Sequence, residues 1–239
     1  VQTCALPICR PIESTNITVG LDHGLTRNST LRLEYRNSES TNRNQGVGDF
    51  NLIERAFTRT RDDRQVRASV QTLLGQNLNE FRVQWNGVES GTSSFSSAPA
   101  IIVLDEFSSG GAGQANRTNN KTFEVSDDFD FNVRKHAMRI GFRLEGGRYA
   151  QEDARNANGT FTFASLQDYI DGNPTTYTVR LGQVPTSFAQ YQAGFYWQDD
   201  FRVSRNLSLS VGVREELQTH LGDALNLMPR FGFTWNPFG

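Results

Sequence analysis

Residues 191–213 alternate apolar and polar side chains with a period of two, a pattern that no helix can present as a single face. Tyr191, Ala193, Phe195, Trp197, Phe201 and Val203 fall on one face, with Gln192, Gly194, Tyr196, Gln198, Asp200 and Arg202 opposite. Ser204 and Arg205 turn the chain. It returns with Leu207, Leu209, Val211 and Val213 on one face and Ser208, Ser210, Gly212 and Arg214 on the other. The segment reads as an antiparallel hairpin with one apolar and one polar surface.

The same grammar recurs upstream. Ile17, Val19 and Leu21 are followed by Leu31, Leu33 and Tyr35; Val66, Ala68, Val70 and Thr72 by Phe81, Val83 and Trp85; and Phe123, Val125, Phe129, Phe131 and Val133 by Met138, Ile140, Phe142 and Leu144. Phe231, Phe233 and Trp235 begin one more strand. Short turns inside each pair alternate with long polar connections, read as residues 37–63, 90–120, 150–187 and 219–229. This parity is that of an up-and-down barrel in an outer membrane, with short periplasmic turns and long external loops. The fold class expected is therefore all-β, an antiparallel transmembrane β-barrel, with about 8–10 strands of a larger barrel present. Within residues 150–187, residues 159–163 read as a short strand, residues 164–170 as helix ended by Gly172 and Pro174, and residues 176–181 as strand.

Composition does not oppose a membrane. Only alternate strand residues face lipid, so a mean hydropathy of −0.53 and 36% hydrophobic residues are compatible with a barrel. No stretch approaches the ~20 apolar residues of a membrane helix, and the run at residues 100–104 is far too short. A formal charge of −2 gives no basic field, and nucleic acid is dropped as a partner. Residues 1–8, VQTCALPI, resemble the translation of a sequencing-library adapter, so residues 1–9 are expected to be artefact and residues 10–239 a barrel fragment. Cys4 and Cys9 then support neither a disulfide nor a metal site.

With the hairpins placed, the segment from residue 141 to residue 239 resembles the barrel of TonB-dependent outer-membrane receptors, specifically the Oar-like group. The carrying motifs are GTFTF at residues 159–163 with SLQDYIDGNPT at 165–175, FYWQDDFRVSRNLSLSVGVR at 195–214, and PRFGFTWNPFG at 229–239. The resemblance implies uptake of an unidentified solute in a Gram-negative-type outer membrane, without catalysis. It also implies partners beyond the lipid: a plug domain and an inner-membrane energy-coupling protein, neither of which this stretch contains. Barrels of that kind have about 22 strands and need over ~220 membrane residues before loops, so this chain is expected to be part of one. Two alternatives stay open: a complete small outer-membrane barrel with a structural or adhesive role, and a soluble β-sandwich that binds carbohydrate.

Chemistry is sparse. His23, His136 and His220 form no close metal-binding pair, and the two near turns read as solvated interfacial residues. Asp127, Asp128 and Asp130 lack the spacing of a calcium loop and read as a charged strand end. Asp199 and Asp200, as strand neighbours, point to opposite faces and cannot act as an acid–base pair without a bulge. Gly110, Gly111 and Gly113 read as flexible loop rather than a phosphate cradle. Asn-x-Ser/Thr sites such as Asn28 and Asn158 are expected by chance in an Asn-rich chain. No catalytic residue, metal ligand or cofactor is assigned.

The faces themselves are the candidate sites. Arg139, Arg143, Glu145, Arg202 and Arg214 fall on polar faces and are expected to line the lumen, either as a wall that contacts solute or plug or as mutual ion pairs. Phe195, Leu209 and Val211 are expected to face lipid, with Trp85, Tyr191, Trp197 and Tyr35 in interfacial aromatic girdles. Asp127 and Asp199 fall on the apolar face, which calls for a bulge or a different register near Asp127.

Overall fold

The computed structural model describes residues 8–182, 185–222 and 226–237. Cys4 lies outside them. The strands in chain order are β1 (Ile12–Gly24), β2 (Ser29–Gln45), β3 (Phe57–Leu74), β4 (Asn77–Ser94), β5 (Ala100–Val103), β6 (Phe107–Gly110), β7 (Ala115–Val133), β8 (His136–Asp153), β9 (Thr160–Phe163), β10 (Thr176–Thr178), β11 (Thr186–Arg202), β12 (Leu207–Gln218) and β13 (Leu227–Trp235). A short α-helix, α1 (Leu166–Ile170), lies between β9 and β10, and one 3-10 turn, Ile53–Arg55, precedes β3.

Nine strands form one sheet in the order β1-β2-β3-β4-β7-β8-β11-β12-β13, every neighbour antiparallel. The apolar sets read from the sequence stand in register across it. One row runs Val19, Tyr35, Val66, Trp85, Phe123, Gly146 and Tyr191; the next runs Leu21, Leu33, Ala68, Val83, Val125, Leu144 and Ala193. Gly146 lets Tyr191 lie flat across β8, since a Cβ there would come within 2.3 Å of the Tyr191 ring. Among the described residues no second sheet covers this face, and Val19, Leu21, Ile140 and Phe195 are all exposed. One uncovered sheet stands where a sandwich would have two packed face to face.

The rows are staggered relative to the turns. The row that begins at His23, one residue from the end of β1 at Gly24, passes through Leu31, Val70, Phe81, Asp127, Phe142 and Phe195 to Glu215, eight residues beyond the start of β12 at Leu207. This progressive offset is the shear that tilted strands need in a barrel wall. The sheet is open, with β1 and β13 as its edges.

Two parts of the sequence reading need correction. Of the polar stretches read as loops, residues 37–63 and 90–120 are more than half strand, because β3 and β4 have 18 residues each and β7 has 19. A membrane crossing takes only 9–11. Beyond the crossing both faces of a strand meet water, so alternation disappears while the backbone ladder continues.

The long connections also build structure of their own. Strands β10, β9, β5 and β6 form a second sheet, with β5 parallel to β9, which ties the β4–β7 connection to the β8–β11 connection. Its apolar centre includes Val103, Ala100 and Phe163, while Val47 and Ala56 are buried in the β2–β3 connection. Tyr169 of α1 packs edge-on against Phe107 and Phe163, with ring centroids 5.4 and 5.3 Å away. Ser165 caps α1 by accepting from the Asp168 backbone N–H at 3.1 Å, and Gly172 follows its end with φ +70°. Of the glycine cluster read as loop, Gly110 ends β6 opposite Ala100, while Gly111 and Gly113 lie in the connection that follows, where Arg55 donates to the Gly111 carbonyl.

Candidate functional site

The two faces of the large sheet are chemically distinct because neighbouring strand residues point oppositely. On the apolar face, Trp85 and Tyr191 stand in the same row, flanking Phe123, whose ring lies 6.2 Å from that of Tyr191. Past that row the face turns polar, with Asn37, Arg64, Lys121 and Arg148 in register. Toward the short turns, Phe195 sits opposite Phe142, Trp197 opposite Ile140 and Val213, Val211 opposite Asp199 and Phe231, and Leu209 opposite Phe201. From the last apolar row to the turns this band spans about ten residues per strand, which at ~3.3 Å rise and ~40° tilt is about 25 Å tall, the height of a lipid-facing barrel band.

The opposite face carries the charge. Arg139 makes a two-pronged pair with Asp130 at 2.5 and 2.7 Å. Arg143 bridges Glu124 of β7 at 2.6 Å and Glu145 of its own strand at 3.1 Å. Arg214 pairs with Glu216 at 2.5 Å, Arg82 with Glu80 at 2.7 Å and Arg32 with Asp22 at 2.8 Å. Tyr196 donates its hydroxyl to Asp128. Arg202 lies on the same face in register with Ser208, exposed and, among the described residues, without an ion pair. Near β13, Arg139, Tyr196, Arg214 and Arg230 border a groove of about 370 Å³. The arrangement can hold a polar solute against charged groups; among the described residues of this face it brings together no nucleophile, base and acceptor in a reactive geometry.

The two misfitting aspartates are resolved without a bulge. The register of β7 is continuous with both neighbours, so Asp127 does lie on the apolar face, opposite Phe81 and Phe142. Asn79 donates its side-chain amide to Asp127 at 2.8 Å. Asp199 lies 2.6 Å from His136 Nδ1, and the His136 ring stacks on Phe201 with centroids 4.5 Å apart. His136, expected to be a solvated interfacial residue near a turn, keeps 39% of its side chain exposed and also makes this pair. Asp200 faces the other way and accepts from Ser210 at 2.5 Å.

Sequence reasoning missed the outer sheet. The signal was present in the run AIIV of β5, short, continuous and bounded by Pro99 and Asp105, which is the mark of a strand buried on both sides. A clasp beside it was also missed. Asp153, at the end of β8, accepts from Arg155 at 2.7 Å and Arg180 at 2.6 Å. These hydrogen bonds, those of Arg155 foremost, hold its carboxyl well below the usual carboxylate range.

Comparison with known proteins agrees with this geometry. A family model described as "Outer membrane beta barrel domain" matches residues 10–235. No curated protein matches the chain in sequence. Among solved structures, the outer membrane transporter YddB from Escherichia coli is 18% identical, with a TM-score of 0.64 over 96% of this chain and 30% of the transporter. FpvAI, solved in complex with pyocin S2, is 14% identical, with a TM-score of 0.62 over 95% of this chain and 34% of that one. The siderophore receptor PirA from Acinetobacter baumannii is 14% identical, with a TM-score of 0.56 over 95% and 32%. At these identities the likeness is one of fold, and the chain spans about a third of each of these proteins.

Proposed function

This chain belongs to the outer membrane beta barrel domain family, and we propose that its nine strands form one section of the wall of a TonB-dependent, Oar-like receptor that takes up a solute without chemical turnover. Its place is the outer membrane. The observation that carries the reading is the pairing of an uncovered apolar face with an ion-paired polar face on one sheared, open sheet. The apolar face meets lipid through Phe195, Leu209 and Val211, with Trp85 and Tyr191 at the interface. The polar face meets the lumen through Arg139, Arg143, Glu145, Arg202 and Arg214. Ion pairing along that wall keeps its net field low, while Arg202 and the groove near Arg230 leave cationic positions for a passing solute or a plug.

The test is uptake in cells carrying the full-length protein, compared with cells carrying Gly212→Trp, which fills the groove. Depletion of at least one solute from the medium is expected with the unsubstituted protein only, and an uncoupler of the inner membrane should abolish it. Identical depletion profiles with and without the protein, at matched outer-membrane levels, would contradict transport.

A further inference from the structure

The four short turns of the large sheet contain no acidic residue. They hold Arg27, then Gly75 and Gln76, then Arg134 and Lys135, then Arg205. The long connections on the other side mix signs, with Asp49, Glu54, Asp105, Glu106, Asp168 and Asp171 beside Arg55, Arg155 and Arg180. Two of the basic turns are neighbours. Strands β8 and β11 end level, with Phe201 opposite His136, and the Arg202 backbone N–H donates to the Lys135 carbonyl at 3.1 Å.

These turn cations differ from most of those of the wall, Arg202 apart. Arg32, Arg82, Arg139, Arg143 and Arg214 all have carboxylate partners. Arg134, Lys135 and Arg205 are exposed, and among the described residues their side chains make no ion pair. Carboxylates toward the same ends of β7 and β11 are engaged elsewhere: Asp130 by Arg139, Asp199 by His136, Asp200 by Ser210. Arg134 also sits at φ +57°, a left-handed conformation in which glycine is better suited. A long cation held at a strained position points to a use for its charge. On the apolar side of the same turns, the stacked His136 and Phe201 rings and Leu209 offer a surface for hydrocarbon.

We propose that the adjacent turns at Arg134, Lys135 and Arg205 bind the phosphate headgroup of an anionic phospholipid in the leaflet on the short-turn side, its acyl chains lying along Phe201 and Leu209. The proposal rests on the barrel reading above. Cations at a membrane surface attract anionic headgroups and lose that attraction when neutralised, one charge at a time. The pair of turns also fixes the lipid at one point of the circumference, where β8 meets β11.

The test uses the full-length barrel in a zwitterionic detergent, with dioleoylphosphatidylglycerol titrated in and bound copies counted by native mass spectrometry. Dioleoylphosphatidylcholine and inorganic phosphate are parallel arms, and heat-modifiable gel migration reports the barrel. Phosphatidylglycerol is expected to bind more tightly than phosphatidylcholine, and inorganic phosphate should not displace it. The triple variant Arg134→Gly, Lys135→Gln, Arg205→Gln should lose at least one bound copy, while Arg134→Gly alone should weaken binding roughly fivefold. The single variant relieves the turn, so it keeps the test valid if the triple variant fails to fold. Unchanged retention in a normally migrating variant, or displacement by inorganic phosphate, would overturn the lipid site alone. Absence of heat-modifiable migration in the unsubstituted protein would overturn the barrel reading and the lipid site with it.

Discussion

Asp127 places a carboxylate in the middle of an apolar face, and one amide makes that tolerable. Asn79 supplies a hydrogen bond to Oδ1 at 2.8 Å and a second, at 3.3 Å, to the Asp128 carbonyl. With lipid against this face, Asn79→Ala should leave Asp127 short of a donor and destabilise the barrel by about 1–3 kcal/mol. Asp127→Val, which removes the charge and restores the apolar row of Val125 and Phe129, should be neutral or stabilising. The double variant should then lose little beyond Asp127→Val alone. Urea unfolding of the barrel in vesicles measures all three, and an equal loss for Asn79→Ala in the presence and absence of Asp127 would show that the pair is not coupled. The face of each residue was legible from period-two spacing, Asp127 included. What spacing lacks is the partner across the ladder: Asn79 is 48 residues away, and only the register brings it near.

At the level of elements, the external clasp gives a pH-dependent test. Asp153 joins the end of β8 to Arg155 and to Arg180 beyond β10, and its carboxyl titrates below the usual range because those guanidinium groups bond to it. A carboxylate lowered on folding contributes in full above its ordinary pKa, near pH 4, and loses that contribution progressively as pH falls from there through the depressed value. Hydrogen exchange of residues 154–182 should therefore be level from pH 7 to about pH 4 after correction for intrinsic rates. Asp153→Asn should raise exchange across the same segment at pH 7, and no change there would remove the clasp from the account. The short strand of GTFTF and the capped helix behind it were readable, because Ser165 and Gly172 are local signals. The parallel pairing of β5 with β9 was not, since it joins two connections that no local pattern relates. The true lengths of β2, β3, β4 and β7 were hidden for a different reason, the loss of alternation where both faces are wet.

For the whole molecule, the open sheet sets the limits of this stretch of chain. Both edges are uncovered: every residue of β1 and of β13 is exposed, with Val19 at 59% and Phe231 at 81% among them. In lipid, each unpaired backbone group along such an edge costs several kcal/mol. Residues 10–239 expressed alone should therefore aggregate, or assemble only when further strands are supplied. A protease-resistant, heat-modifiable monomer would instead favour a small closed barrel. The central claim is that one face of this sheet meets lipid and the other a wet interior. Val211 and Ser210 are sequence neighbours on opposite faces at the same depth, and an arginine at a lipid-facing position near mid-membrane costs about 2–4 kcal/mol. The direct measurement is the folded fraction of the full-length barrel carrying Val211→Arg or Ser210→Arg after refolding into phospholipid vesicles, read by heat-modifiable gel migration. A two-faced wall predicts that Val211→Arg loses most of its folded band while Ser210→Arg, beside Asp200, keeps it. Equal losses, or the greater loss at Ser210, would contradict it.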